Sequence, residues 1–171
     1  MNTKPVPITL PEILRERAAN LGANALECLT GMGNAALLDE PLLAVIASRA
    51  CPGNVLSKTV EQVPEWVKAG YVIISGFHSP LEQQVLHSVL RRCGRAVKVL
   101  ARGMTDLFRP TQEERKALVT GNMLIITALP LAACRITRAA ALGRNRLVFA
   151  IAEERCVPYI EEGSPLQELV I

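Results

Sequence analysis

Aromatic residues are scarce in this chain: one Trp, two Tyr and three Phe among 171 residues. That leaves no broad aromatic platform for unpaired bases, and the half of the residues that are hydrophobic must pack mainly as Ala, Val, Leu and Ile. Paired cysteines are missing too. Cys28, Cys51, Cys93, Cys134 and Cys156 are scattered, with no Cys-x-x-Cys anywhere, which argues against a zinc site, a dithiol redox motif or a disulfide scaffold. Long apolar runs are also lacking. The longest uncharged stretch, 117–134, is interrupted by Thr120, Gly121, Asn122 and Pro130, so no membrane span is expected. A secretory signal needs an unbroken apolar run, and here Glu12 to Arg17 is charged. These absences point to a cytoplasmic, reducing setting with no membrane partner and no metal. Nineteen Lys and Arg against sixteen Asp and Glu leave a net charge of +3, which neither demands nor forbids nucleic acid.

What is present is a regular alternation. Leu42 to Ala47 is a short continuous apolar run between Glu40-Pro41 and Ser48-Arg49, the pattern of a strand buried on both faces. The same pattern returns at Tyr71 to Ser75, Ala96 to Leu100, Met123 to Thr127 and Cys156 to Ile160, the last limited to a sheet edge by Pro158. Helical spacing fills 55–69, 79–92 and 146–154. Ser79, Pro80 and Glu82 form a helix start with a capping box, Gly70 and Gly94 are read as left-handed helix ends, and Pro64 should kink the helix it sits in. Strand alternating with helix predicts a Rossmann-like three-layer α/β/α fold, with a mainly parallel sheet of five or more strands. Before it, Leu14, Ala18, Leu21, Ala25 and Leu29 keep helical spacing, divided at Gly22. The domain reading is a helical N-terminal segment, 1–38, packed on a main domain, 39–171.

In an open parallel sheet, ligands gather at the carboxyl ends of the strands, where loops converge and helix N-termini turn free amides outward. Ser48 and Arg49 follow the first predicted strand; Ser75, Gly76, His78 and Ser79 follow the second; Gly103 follows the third. Arg144, Asn145 and Arg146 are read as opening the last helix, and Gly163 and Ser164 follow the last strand. Hydroxyls, glycines and arginines meeting on one edge suit a phosphate group, through forked guanidinium contacts and close backbone approach. Taken singly, each of these residues is equally at home in a tight turn or in water. No catalytic residue is assigned; His78 is read as a ligand contact, and no Ser-His-Asp set or nucleophile elbow is present.

Gly31-Met-Gly33-Asn-Ala-Ala36 matches the spacing of a dinucleotide fingerprint. That fingerprint works between a first strand and its helix, whereas here a helical stretch precedes it and a strand follows, so no cofactor is expected. Two groups of cations, Arg91, Arg92, Arg95 and Lys98, and Arg135, Arg138, Arg144 and Arg146, have the density to follow a nucleic-acid backbone. Arg91 and Arg92 are equally explained by the dipole at a helix C-terminus.

The order of these motifs resembles the DNA-processing protein A family, also called DprA or Smf, within the Rossmann-like group that includes the Lonely-guy phosphoribohydrolases. The resemblance runs from about Gly33 to Ser164. Gly33-Asn34 is similar to a Gly-Asn segment of the family, Ala47-Ser48-Arg49 to its Gly-Ser-Arg, and Ser75 to Glu82 to its Ser-Gly-x-Ala-x-Gly-Ile-Asp. Gly143-Arg144-Asn145-Arg146 is similar to its Arg-Asn-Arg segment, and Glu161-Glu162-Gly163-Ser164 to its strand-end Gly-Ser. The chain is read as a short, divergent member, with Ala47 where the family has glycine and Glu82 where it has aspartate. The resemblance implies single-stranded DNA handling. The expected function is therefore nucleotide or nucleic-acid phosphate binding connected with DNA processing, without assigned turnover. The rival is a nucleotide or phosphoribosyl hydrolase using His78 or Glu161, and a third reading is an interaction protein whose N-terminal helices cover a partner or a second copy.

Overall fold

The computed structural model describes residues 2–21 and 29–170. The central sheet has seven strands in the order β1 (Asn2–Pro7), β2 (Thr30–Gly33), β6 (Met123–Thr127), β5 (Arg95–Leu100), β4 (Val72–Ser75), β3 (Leu42–Val45) and β7 (Glu154–Cys156). From β6 to β7 all neighbours are parallel, whereas β1 and β2 are added antiparallel beyond β6. The helices are α1 (Glu12–Ala18), α2 (Gly53–Lys68), α3 (Pro80–Arg91), α4 (Gln112–Thr120), α5 (Arg138–Ile151) and the short α6 (Gln167–Val170).

Strand alternation sorts the core into two layers. Leu42, Ala44, Ile46, Val72, Ile74, Val97, Val99, Leu124 and Ile126 face α1 and α5, while Leu43, Val45, Ile73, Ala96, Leu100, Met123 and Ile125 face α2, α3 and α4. The strands are apolar on both sides because helices cover both sides. From β3 the chain steps through β4, β5 and β6 in one direction with its helices on one face. It then returns as β7 to the other side of β3, with α5 on the opposite face. The order reverses between β3 and β7, which is where a doubly wound sheet opens a crevice. Among the described residues, no helix is long and apolar enough to cross a membrane.

The predicted strands at 42–47, 71–75, 96–100 and 123–127 fall within a few residues of β3 to β6. The last one does not. Its predicted range was 156–160, but the paired residues are Glu154–Cys156, since Pro158 has no N–H to extend the ladder. Residues 1–38, read as helical, also hold β1 and β2. Their sequences, rich in Pro and Gly, carry no strand signal of their own. A Cβ on Gly31 would come within 2.8 Å of Ile8 and 2.9 Å of the Ile125 carbonyl, so the close approach of β2 to β6 requires glycine. The predicted helix at 11–29 is α1 plus a 3-10 turn at Ala19–Leu21, and its 22–28 part, with Gly22 and Ala25, lies outside the described residues.

Helix α4 is not among the stretches the sequence pattern outlines, although Thr111 and Glu114 cap it reciprocally. The expected capping box of α3 is present at Ser79 and Glu82. Gly70 is left-handed as read, with φ +86°. After α3 the left-handed residue is Cys93 (φ 54°), not Gly94, which is glycine because a Cβ there would press to 2.9 Å of both Val67 and Val89.

Candidate functional site

The loops after β3 and β7 meet at the reversal point through backbone and hydroxyl bonds. Ser48 N–H donates to the Tyr159 carbonyl (3.1 Å), and the Ser48 hydroxyl accepts from Glu161 N–H (2.9 Å) and shares a hydrogen bond with the Ser164 hydroxyl (3.3 Å). Glu82 ties in the loop after β4. Its side chain is buried, one carboxylate oxygen accepting from Ala47 N–H (3.1 Å) and the other from His78 N–H (2.8 Å) and Ser79 N–H (3.4 Å). The helix cap thus doubles as a brace between the ends of β3 and β4. Phe77, buried in the core, adopts φ 49°, a conformation costly for a bulky residue, and its N–H is held by the Ser75 hydroxyl (3.1 Å).

A cavity of about 260 Å³ opens above this brace. Its walls include Ser48, Arg49, His78, Ser79, Arg144 and Asn145, with Ser164 and Glu161 closing the β7 side. Seven of the twelve sequence-predicted site residues (Ser48, Arg49, His78, Ser79, Arg144, Asn145, Ser164) therefore line one space. Gly76 lies directly below Arg144: a Cβ there would come within 2.8 Å of Arg144 Cδ and closer still to Nε and Cζ. Ser75 is fully buried and serves the turn.

Other expected positions differ. Gly103 does not line the small cavity: its N–H donates to the Ala133 carbonyl (2.7 Å), and a Cβ would collide with the Pro130 carbonyl, so it packs the loop after β5 onto the loop after β6. Gly163 is exposed, with its N–H given to the Gln167 side chain (2.9 Å).

Arg144, Asn145 and Arg146 do not open a helix. Helix α5 begins at Arg138, six residues before Arg144, capped by the Thr137 hydroxyl accepting from Ala140 N–H (3.0 Å). Gly143 resembled a boundary, but Ala139 to Leu142 are strong helix formers and carry the helix through it. This makes α5 a partition. Arg138, Ala141, Leu142 and Asn145, at helical spacing, face the small cavity, a contribution of Arg138 that the sequence signalled only through that spacing. Ala139, Gly143, Arg146 and Leu147 face a second cavity of about 980 Å³ over the ends of β5 and β6. Arg144 lines both.

Arg144 continues the sheet-facing stripe of Val148 and Ile151 beyond the strand ends, where apolar contact gives way to the rim. Its Nε donates to the Asn145 side-chain carbonyl (3.1 Å). Burial lowers the guanidinium pKa from its ordinary value, opposed by the nearby Glu82 carboxylate. An arginine remains charged under such a shift, so the site holds a fixed, partly desolvated cation. Among the described residues, no cluster of His, Cys, Asp and Glu suited to a metal ion is found.

A mainly parallel sheet with helices on both faces, its strand order reversing beside a cavity walled by hydroxyls and arginines, defines a doubly wound Rossmann-like protein. The chain belongs to the DNA recombination-mediator protein A family, whose model matches residues 10–164. It is 32% identical over 90 residues to DNA processing protein DprA of Streptococcus pneumoniae, an alignment covering 53% of this chain and 31% of that protein. The solved structure of the Streptococcus pneumoniae protein superposes with a TM-score of 0.73 at 22% identity, covering 98% of this chain and 59% of the other. DNA processing protein A from Helicobacter pylori, whose structure is described for a unique single-stranded DNA binding mode, superposes with a TM-score of 0.76 at 21% identity, covering 99% and 76%. The chain thus spans about a third of the length of the curated relative it matches.

Proposed function

We propose that this protein binds single-stranded DNA, seating a backbone phosphate in the small cavity where β3 and β7 diverge. The observation that carries this reading is the convergence of Arg49, Arg138 and Arg144 with the hydroxyls of Ser48, Ser79 and Ser164 around one space. Guanidinium forks and hydroxyl donors match phosphate oxygens, and a partly buried cation acts on them with less screening than one in water. The Helicobacter pylori relative binds single-stranded DNA, which supports the polymer over a free nucleotide.

A hydrolase would need an available carboxylate facing the ligand. Of the two in the cavity wall, Glu82 is committed to three backbone amides, which leaves Glu161. Binding alone accounts for the remaining wall.

The test is affinity for a labelled homothymidine oligonucleotide as salt is raised. One seated phosphate gives a log-log slope of about −0.7 on a single strand, and each further phosphate neutralised adds as much. Arg49→Ala and Arg144→Ala should each weaken binding and flatten that slope. Unchanged affinity and slope in the double variant would overturn the proposal, and turnover of a nucleoside monophosphate that is lost in Glu161→Gln would favour the hydrolase.

A further inference from the structure

The larger cavity, about 980 Å³, is the upper end of the size range of small-molecule sites, and nothing in the phosphate reading uses it. Its floor is apolar: Val99 and Leu100 at the end of β5, Ala128 and Leu129 after β6. Its rim carries Arg135, Arg144 and Arg146 with Asn20 and Thr137, and among the described residues no carboxylate lines it. Both Arg135 and Arg146 are exposed. Opposite Val99 and Leu100, the wall is the stretch of α5 bearing Ala139, Ala140 and Gly143, side chains too short to fill the space. A Cβ built on Gly143 meets nothing within 4 Å.

An apolar floor with three arginines on its rim suits a ligand that has a flat, weakly polar body and negative charge at its margin. A nucleotide has that form. Among the described residues no aromatic lines the cavity, so a base seated there would lie against aliphatic groups and guanidinium planes rather than in an aromatic stack.

We infer that the cavity over β5 and β6 is a second nucleotide subsite, receiving the bases of the same strand whose phosphate sits in the small cavity, with the chain crossing at Arg144. This rests on the single-stranded DNA reading and extends it by giving the strand a direction, from the β3/β7 crevice across the N-terminal half of α5 to the ends of β5 and β6. The small cavity alone, about 260 Å³, falls below the range that accommodates a ligand with a base and a sugar. Continuity comes from the shared arginine, which lines both spaces.

The experiment compares inorganic phosphate with a dozen-residue homothymidine oligonucleotide, using the full chain and two variants. Gly143→Phe fills the larger cavity from a helical position with open space, and Arg135→Ala removes a cation from its rim only. Gly143→Phe should weaken oligonucleotide binding by about tenfold, the loss of a base seated against guanidinium planes, and leave the affinity for inorganic phosphate, which carries no base, unchanged. Arg135→Ala should reduce the salt slope for the oligonucleotide by about one. If circular dichroism shows Gly143→Phe misfolded, Arg135→Ala decides. Oligonucleotide affinity and slope unchanged in the folded variants would overturn the second subsite while leaving the first standing. Failure of the unaltered chain to bind either probe would sink both.

Discussion

The guanidinium of Arg144 rests on the backbone of Gly76, in the space that any side chain at position 76 would occupy. The residue after β4 and a residue midway along α5 are thereby fitted to each other across the carboxyl edge of the sheet. Gly76→Ala should displace Arg144, and its effect on oligonucleotide binding should match that of Arg144→Ala to within about twofold, since both remove the same cation from the same place. Fluorescence anisotropy on the two variants checks this.

Glu82 is a buried acceptor serving three amides. Glu82→Gln keeps the shape but replaces one acceptor oxygen with a donor, stranding at least one buried N–H. A loss of about 1–3 kcal/mol in urea unfolding is expected, accompanied by faster amide exchange at Ala47 and His78.

At Gly143 the helix interior carries a residue without a Cβ and with room for one. Gly143→Ala should raise stability by about 0.5–1 kcal/mol through a smaller loss of backbone entropy on folding, measured as a higher urea midpoint at an unchanged slope.

Thr137 holds the first turn of α5 through Ala140 N–H. Thr137→Ala should cost about 1 kcal/mol and speed hydrogen exchange in the first turn of α5, with exchange in α3 unaltered.

Burial raises the thiol pKa of Cys51 and of Cys156 above the ordinary value, whereas Cys93 and Cys134 are exposed. The thiolate is the reactive form, and a raised pKa leaves less of it near neutrality. Alkylation at pH 7.5 should therefore label Cys93 and Cys134 before Cys51 and Cys156, with Cys156 catching up as pH rises, as peptide mass spectrometry would record.

The parallel core was legible because each of its strands is buried on both faces and reads as an unbroken apolar run, as at Met123-Leu-Ile-Ile-Thr127. The antiparallel pair was not. β2 reads Thr-Gly-Met-Gly, and its glycines are there for contact with β6, a tertiary demand that leaves no local periodicity. For the site, Ser48, Arg49, His78 and Ser79 could be placed because they follow strands directly. Arg144 could be identified but not located, since Gly143 broke the helical pattern that would have shown which way it projects. The sequence around Gly103 carries no sign that its amide is taken by a carbonyl thirty residues downstream, a tertiary contact with no local pattern.

The outermost strand, β1, carries Pro5 and Pro7. Ile8 N–H points inward to the Leu29 carbonyl (2.9 Å), so by alternation position 7 faces away from the sheet, and there proline offers no N–H. A foreign strand approaching that margin finds missing donors where it needs a ladder. At the β1 margin the sheet is thus closed to open-ended strand addition by chain composition alone.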